Sequence, residues 1–173
     1  RSPKPSLNST LAASADSKKP LTEIEDTALR DLLAYCQSEK LENVVFTRFP
    51  HIVTEKTYER FERSNTVGDI VAEYGYDYLN FEKDVATIGL DEMRDYYNTD
   101  HLNVYGQQKF TAFLTDYLKE HYGLSPHALS DSQKAEWDIC ADYYEAYVRY
   151  NESLMENNEA LETRARTMAS QYG

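Results

Sequence analysis

The sequence predicts a mixed α/β fold with parallel strands and a helix-rich C-terminal end. Three observations predict it. Periodic segments follow one another as helix, strand, helix, strand, helix, the alternation expected of parallel strands joined by crossovers and covered by helices. Two short runs, "VVFTRFP" (44–50) and "YDYLNF" (76–81), combine β-branched and aromatic residues in the manner of strands. From Gln133 to Tyr172 there is no Gly or Pro, so nothing in the sequence forbids one extended helical segment.

Each element has its own local reason. Residues 1–20, "RSPKPSLNSTLAASADSKKP", lack periodicity and read as a flexible arm. Thr22 to Glu25 has the T-x-x-E form of a capping box, in which each end satisfies the other's backbone donor. The helix it starts reaches about Ser38, with Ile24, Ala28, Leu29, Leu32, Leu33 and Cys36 on one face. The first strand follows and stops at Pro50. A second helix, about Lys56 to Tyr74, turns Tyr58, Phe61, Ile70, Val71 and Tyr74 inward, and Gly75 ends it. After the second strand, residues 82–102 form a long connection, a length often tied to function. Phe110, Phe113, Leu114, Tyr117 and Leu118 then give the clearest helical spacing in the chain, closed by Gly123. A second capping box, Ser130 to Gln133, starts a helix with Trp137, Cys140, Ala141, Tyr144 and Val148 on one face and an expected break near Asn157-Asn158. The expected division is an arm at 1–20, a body at 21–150 and a helical tail at 151–173.

Two strands alone make a poor core. Further strands are therefore expected outside this chain, leaving an open sheet edge at which Val44 and Phe46 would be exposed.

Composition narrows the function classes. The chain is 41% hydrophobic and 28% charged, with a formal net charge of -12. That surface repels phosphate backbones and argues against nucleic-acid binding. Cys36 and Cys140, the two cysteines, sit at apolar helical positions and read as small buried hydrophobes; no spacing suggests a metal site. No apolar run reaches the roughly 20 residues of a membrane helix. No signal-peptide pattern is visible, but the chain opens on Arg1, as a fragment, a processed product or an engineered piece would, so its compartment stays open.

The chemistry, if any, concentrates around His101. It lies in the loop between the second strand and the Phe110 helix, the side of an open α/β sheet that carries active sites. Histidine exchanges protons near neutral pH, and an acid beside it can fix its tautomer and stabilise the imidazolium. Asp95, Asn98 and Asp100 are the candidates by proximity. The other histidines read differently: His51 as a loop residue at a strand's end, His121 on an exposed helical face, and His127 in a turn. Asn103 reads as a helix cap and Trp137 as a core residue.

The block "DYYNTDHLNVYGQQKFTAFLTDYLKEHYGL" (95–124) resembles the C-terminal block of SGNH/GDSL-type hydrolases, with its histidine-Leu-Asn core, Gly and amphipathic helix. "VVFTRFPH" and "YDYLNF" fall where that family has its last two sheet strands, and "SDSQKAEWDICADYYEAY" resembles the tail of its bacterial members. The resemblance spans about Leu21 to Tyr150. It implies part of a flavodoxin-like three-layer α/β/α fold and a serine esterase or O-acyltransferase acting on acyl esters. Esters of carbohydrates or bacterial cell-envelope polymers are the implied substrates, outside the cytoplasm or at the envelope, with no cofactor and no metal. His101 is then the general base.

The chain departs from the family twice. The family's acid stands three residues before the histidine, where this chain has Asn98; an amide lacks the carboxylate's charge and can select the wrong tautomer. The family's G-D-S nucleophile block is also missing. Ser2, Ser6, Ser9, Ser14 and Ser17 lie in the arm with no strand before them. The expectation is a C-terminal portion of the hydrolase, inactive alone, or else a non-catalytic SGNH-like binding domain.

Overall fold

The computed structural model describes residues 16–172, so Ser2, Ser6, Ser9 and Ser14 of the arm fall outside the described residues. The described elements are α1 (Glu23–Ser38), β1 (Val45–Arg48), α2 (Tyr58–Glu73), β2 (Asp77–Asn80), α3 (Val85–Ile88), α4 (Val104–Tyr122) and α5 (Asp131–Tyr172). The fold is mixed α/β and helix-rich. β1 and β2 pair in parallel, from Val45 opposite Asp77 to Arg48 opposite Asn80, and α2 makes the crossover between them. The chain divides into two compact units between Phe113 and Leu114, within α4.

In the first unit, α1 starts at the predicted capping box. Thr22 N–H donates to Glu25 Oε2 at 2.8 Å, and Glu25 N–H donates to Thr22 Oγ1 at 3.3 Å. Leu33 and Cys36 are buried as predicted, with Leu29 half-buried. Ile24, Ala28 and Leu32 are exposed, against expectation. Leu33 joins Ile70 and Val71 of α2 in one cluster, flanked by Phe46 and Tyr78 from the two strands. Only a narrow strip of α1 meets this cluster, so an apolar pattern wider than the strip stays in water. Phe46 is half-buried there and Val44 is half-buried too, so neither is the strongly exposed edge residue expected.

α2 buries Phe61, Ile70 and Val71 as predicted, and Gly75 ends it in the left-handed region at φ 81°. It also turns Ser64 and Asn65 inward; Ser64 Oγ lies 2.5 Å from the Tyr78 hydroxyl. Burial pushes the Tyr78 phenol above its usual range. The described end of the N-terminal arm is not free. Asn65 Nδ2 donates to Ser17 O and Thr66 Oγ1 to Lys19 O, both at 2.8 Å. Lys18 pairs with Asp69 at 2.8 Å and Lys19 with Glu59 at 2.7 Å. A polar stretch with no periodicity is thus fixed by side chains that α2 presents. Beyond the strands, Phe81 packs edge-on against Phe110 and Phe113, and Phe49 against Phe110.

In the second unit, α4 ends at Gly123 with φ 63°. α5 starts at the predicted capping box, with Ser130 N–H donating to Gln133 Oε1 at 3.0 Å. It runs through Asn157-Asn158 without the expected break. Asparagine lowers helix propensity by a few tenths of a kcal/mol, about 0.7 at most, which is too little to stop a helix that lacks Gly and Pro. Its predicted inner face is mostly outside: Trp137 is 65% exposed, and Tyr144 and Cys140 are also exposed, while Val148 is buried. The readings of Trp137 as core and Cys140 as a buried hydrophobe are corrected accordingly.

Candidate functional site

The long connection after β2 is built from short local devices. α3 gives one turn, and Gly89 at φ 75° redirects the chain. Asp91 Oδ1 then accepts from the N–H groups of Met93 and Arg94 at 2.8 and 3.1 Å, closing a turn that delivers Asp95. Asp95 is fully buried. Its Oδ2 accepts from Asp91 N–H at 2.7 Å and from Lys109 Nζ at 2.6 Å. Lys109 also donates to Gly89 O at 2.9 Å, so one α4 side chain ties both ends of the turn. Asp95 Oδ1 is buried with no hydrogen-bond partner among the described residues.

Residues 96–102 make a tight antiparallel loop. Tyr96 and Leu102 form the bridge, and Tyr97 N–H donates to His101 O at 2.9 Å. Ile52 N–H donates to Thr99 O at 2.8 Å, pinning the tip to the segment that follows β1. Asn103 ends the loop as the predicted cap of α4, its Oδ1 accepting from the N–H groups of Tyr105 and Gly106 at 3.0 and 3.2 Å. Gly106 permits this closure: a Cβ there would stand 2.2 Å from Asp95 O. Burial pushes the Tyr96 phenol well above its usual range, helped by the nearby carboxylates of Glu92, Asp95 and Glu82.

His101 is exposed, and its Nδ1 lies 2.9 Å from Asn98 Oδ1. The same oxygen accepts from Asp100 N–H at 2.9 Å. A backbone N–H only donates, so it fixes the amide with its oxygen toward the ring. Nδ1 therefore carries the proton, and the Nε2 lone pair is left for other work. An amide oxygen on Nδ1 favours the tautomer that a base at Nε2 needs, and Asn98 lacks the charge of a carboxylate. Asp95 is not the partner of His101, because its carboxylate is committed to Lys109 and Asp91. Asp100 points to Arg60, with Oδ1 3.6 Å from Nη1. Of the four candidates, the structure brings together His101 and Asn98.

A second polar cluster lies at the carboxyl ends of the strands. Glu82 is buried, with Oε1 3.1 Å from Arg48 Nη2 and 3.1 Å from His51 Nδ1. The histidine contact is one of charge distance, not an aligned hydrogen bond. Glu82 escaped the sequence reading because one acid after a strand is indistinguishable from a solvated loop residue. Beside β1 runs an open groove of about 440 Å³, with an apolar floor at Phe46 and with Arg48, Arg60, Arg63 and Tyr78 around it. Arg60 connects this groove to the loop through Asp100. Among the described residues, no group of three or more His, Cys, Asp or Glu is arranged to hold a metal ion, and no helix is long and apolar enough to cross a membrane.

Compared with known protein families, curated proteins and solved structures, the chain matches none.

Proposed function

We propose that this chain carries the general-base end of an SGNH/GDSL-like serine esterase or O-acyltransferase. The single observation that carries the reading is the exposed His101, with Asn98 Oδ1 on Nδ1, in the loop after the second parallel strand. A histidine so oriented can take a proton from a hydroxyl nucleophile and return it to the leaving group. Asn98 takes the orienting role that the family gives to a carboxylate. An asparagine holds the histidine in some cysteine–histidine proteases, so the role does not require charge. The serine and the oxyanion donors come, in this proposal, from a G-D-S block outside these 173 residues, within a flavodoxin-like three-layer domain that β1 and β2 complete. The substrate is an acyl ester, with carbohydrate or cell-envelope esters the class the resemblance favours. The arginine-lined groove beside β1 reaches the loop through the Arg60–Asp100 contact.

Asn98 also supports a second reading, a non-catalytic SGNH-like binding domain, because without a negative charge the imidazolium is less stabilised. Turnover separates the two. In the polypeptide extended to include the serine block, His101→Ala is expected to lower kcat on an acetyl ester by roughly 10⁴-fold with the fold intact. Near-normal turnover in that variant removes the catalytic reading. The 173-residue chain alone is expected to resist fluorophosphonate labelling; a labelled serine in residues 1–20 would overturn the placement of the nucleophile.

A further inference from the structure

We infer that α5 pairs with the α5 of a second copy of this chain as a parallel two-stranded coiled coil. The inference stands apart from the esterase reading. α5 has 42 residues, which is roughly 63 Å at 1.5 Å per residue. Uninterrupted helices of this length are membrane spans, helical repeats or coiled coils, and no described helix is apolar enough to span a membrane.

The spacing of its residues selects the third. Trp137, Tyr144, Asn151 and Asn158 recur every seven residues, and Cys140, Tyr147 and Leu154 recur three residues after the first three of them. The same alternation of three and four continues in the sequence through Leu161, Ala165 and Met168. A straight helix of 3.6 residues per turn drifts by about 20° per heptad against such a repeat. A stripe with a strict seven-residue period keeps facing its partner only when two helices supercoil. Most of the stripe is uncovered in the single chain: Trp137, Tyr144, Tyr147 and Leu154 are between 43% and 65% exposed, Cys140 and Asn158 are exposed, and Asn151 is half-buried.

The identity of the partner follows from the asparagines. In a parallel pair each residue at the Trp137 position of the repeat faces its own twin. Asn151 then meets Asn151 of the other copy, and Asn158 meets its twin, each carboxamide both donating and accepting. Against an unrelated apolar helix, or in an antiparallel pair, the same amides would face apolar side chains and lose their hydrogen bonds. Buried asparagines at this position specify register and strand number. Cys140 supplies a built-in reporter. It is exposed and sits at an inner position of the repeat, so in a parallel pair the two thiols face each other; Cys36 is buried in α1.

The test is light scattering on the full chain, followed by copper–phenanthroline oxidation. The expected mass is twice 20.0 kDa. Oxidation should give a disulfide-linked dimer that Cys140→Ser abolishes and Cys36→Ser does not. Leu154→Asp should return the single-chain mass. Its side chain is already exposed in the single chain, so the rest of the fold is spared. Asn151→Leu should keep the chains associated, raise the melting temperature and loosen the two-stranded stoichiometry. A single-chain mass at micromolar concentration overturns the proposal. So does a dimer that survives Leu154→Asp, and so does a larger assembly in the unsubstituted chain. A dimer that Leu154→Asp dissociates but that never cross-links through Cys140 overturns the parallel arrangement.

Discussion

Two buried carboxylates, Asp95 and Glu82, are held in opposite ways. Asp95 is fully buried and faces one lysine and one backbone N–H. Glu82 is 2% exposed and faces an arginine and a histidine at the carboxyl ends of the strands. The first sits behind the His101 loop and locks it to α4. The second sits among groups that themselves reach water, since the Arg48 and His51 side chains are 32% and 21% exposed. The difference teaches that closeness in sequence to a histidine is a poor guide to a carboxylate's role. Asp95, the nearer in sequence to His101, holds structure; Glu82, nineteen positions away, contacts a histidine, and it is His51.

The sharpest way to break this contrast is to remove the cation from Asp95. Lys109→Met leaves a buried charge without its partner and should destabilise the protein by about 3–5 kcal/mol, read from urea unfolding. Adding Asp95→Asn to that variant should restore much of the loss, because the amide has no charge to strand. If both single variants and the double variant were near wild type, Asp95 would not be the buttress described. Gly106→Ala attacks the same region by crowding. Its new methyl would overlap Asp95 O, and overpacking of this kind costs about 1–3 kcal/mol. Loss of dispersed NMR signals from residues 95–103 would accompany it, whereas an unchanged spectrum would show that the loop accommodates a Cβ.

At the other carboxylate the expected effect is smaller. Glu82→Gln keeps the shape and a polar atom, and Arg48 can turn to water, so a loss of about 1–2 kcal/mol is expected. A loss matching that of Lys109→Met would erase the distinction. Asp84, between the two in sequence, gives the smallest effect. Burial pushes its carboxyl above the usual aspartate range, with Lys83 opposing. A carboxyl whose folded value is raised binds its proton more tightly in the folded state, so its contribution to stability falls as pH rises through that value. Asp84→Asn should therefore stabilise slightly at pH 7 and change little well below about 3.9, the ordinary aspartate value. A gain that is larger in acid than at neutrality would reverse the sign.

Local chemistry was legible in the sequence and burial was not. The boxes at Thr22–Glu25 and Ser130–Gln133, the stops at Gly75 and Gly123, and the Asn103 cap depend on residues within a few positions of each other, so they were found where expected. Both strands were legible for the same reason. Cys140, Trp137, Ile24 and Leu32 were misread as inner residues because an apolar stripe says which face wants cover, not whether an element covers it. α3 was missed because four residues are too few to show a period. At the candidate site, His101 and its loop stood out, but the choice of Asn98 over two aspartates turned on Lys109 and Arg60, which reach in from other elements.

The strap of residues 17–19 along α2 sets how this end of the chain is degraded. Lys18 and Lys19 are the basic residues that a trypsin-like protease seeks, and such an enzyme must draw the backbone, extended and unpaired, into its cleft. Lys19 has its N–H bonded to Glu62 O and its carbonyl to the Thr66 hydroxyl, and Pro20 follows it. Cleavage of the Lys18–Lys19 bond must wait until the strap lifts away from α2, and the Lys19–Pro20 bond resists such an enzyme even then. The cleavage rate therefore reports a local opening, and can differ greatly from the rate at which the whole protein unfolds.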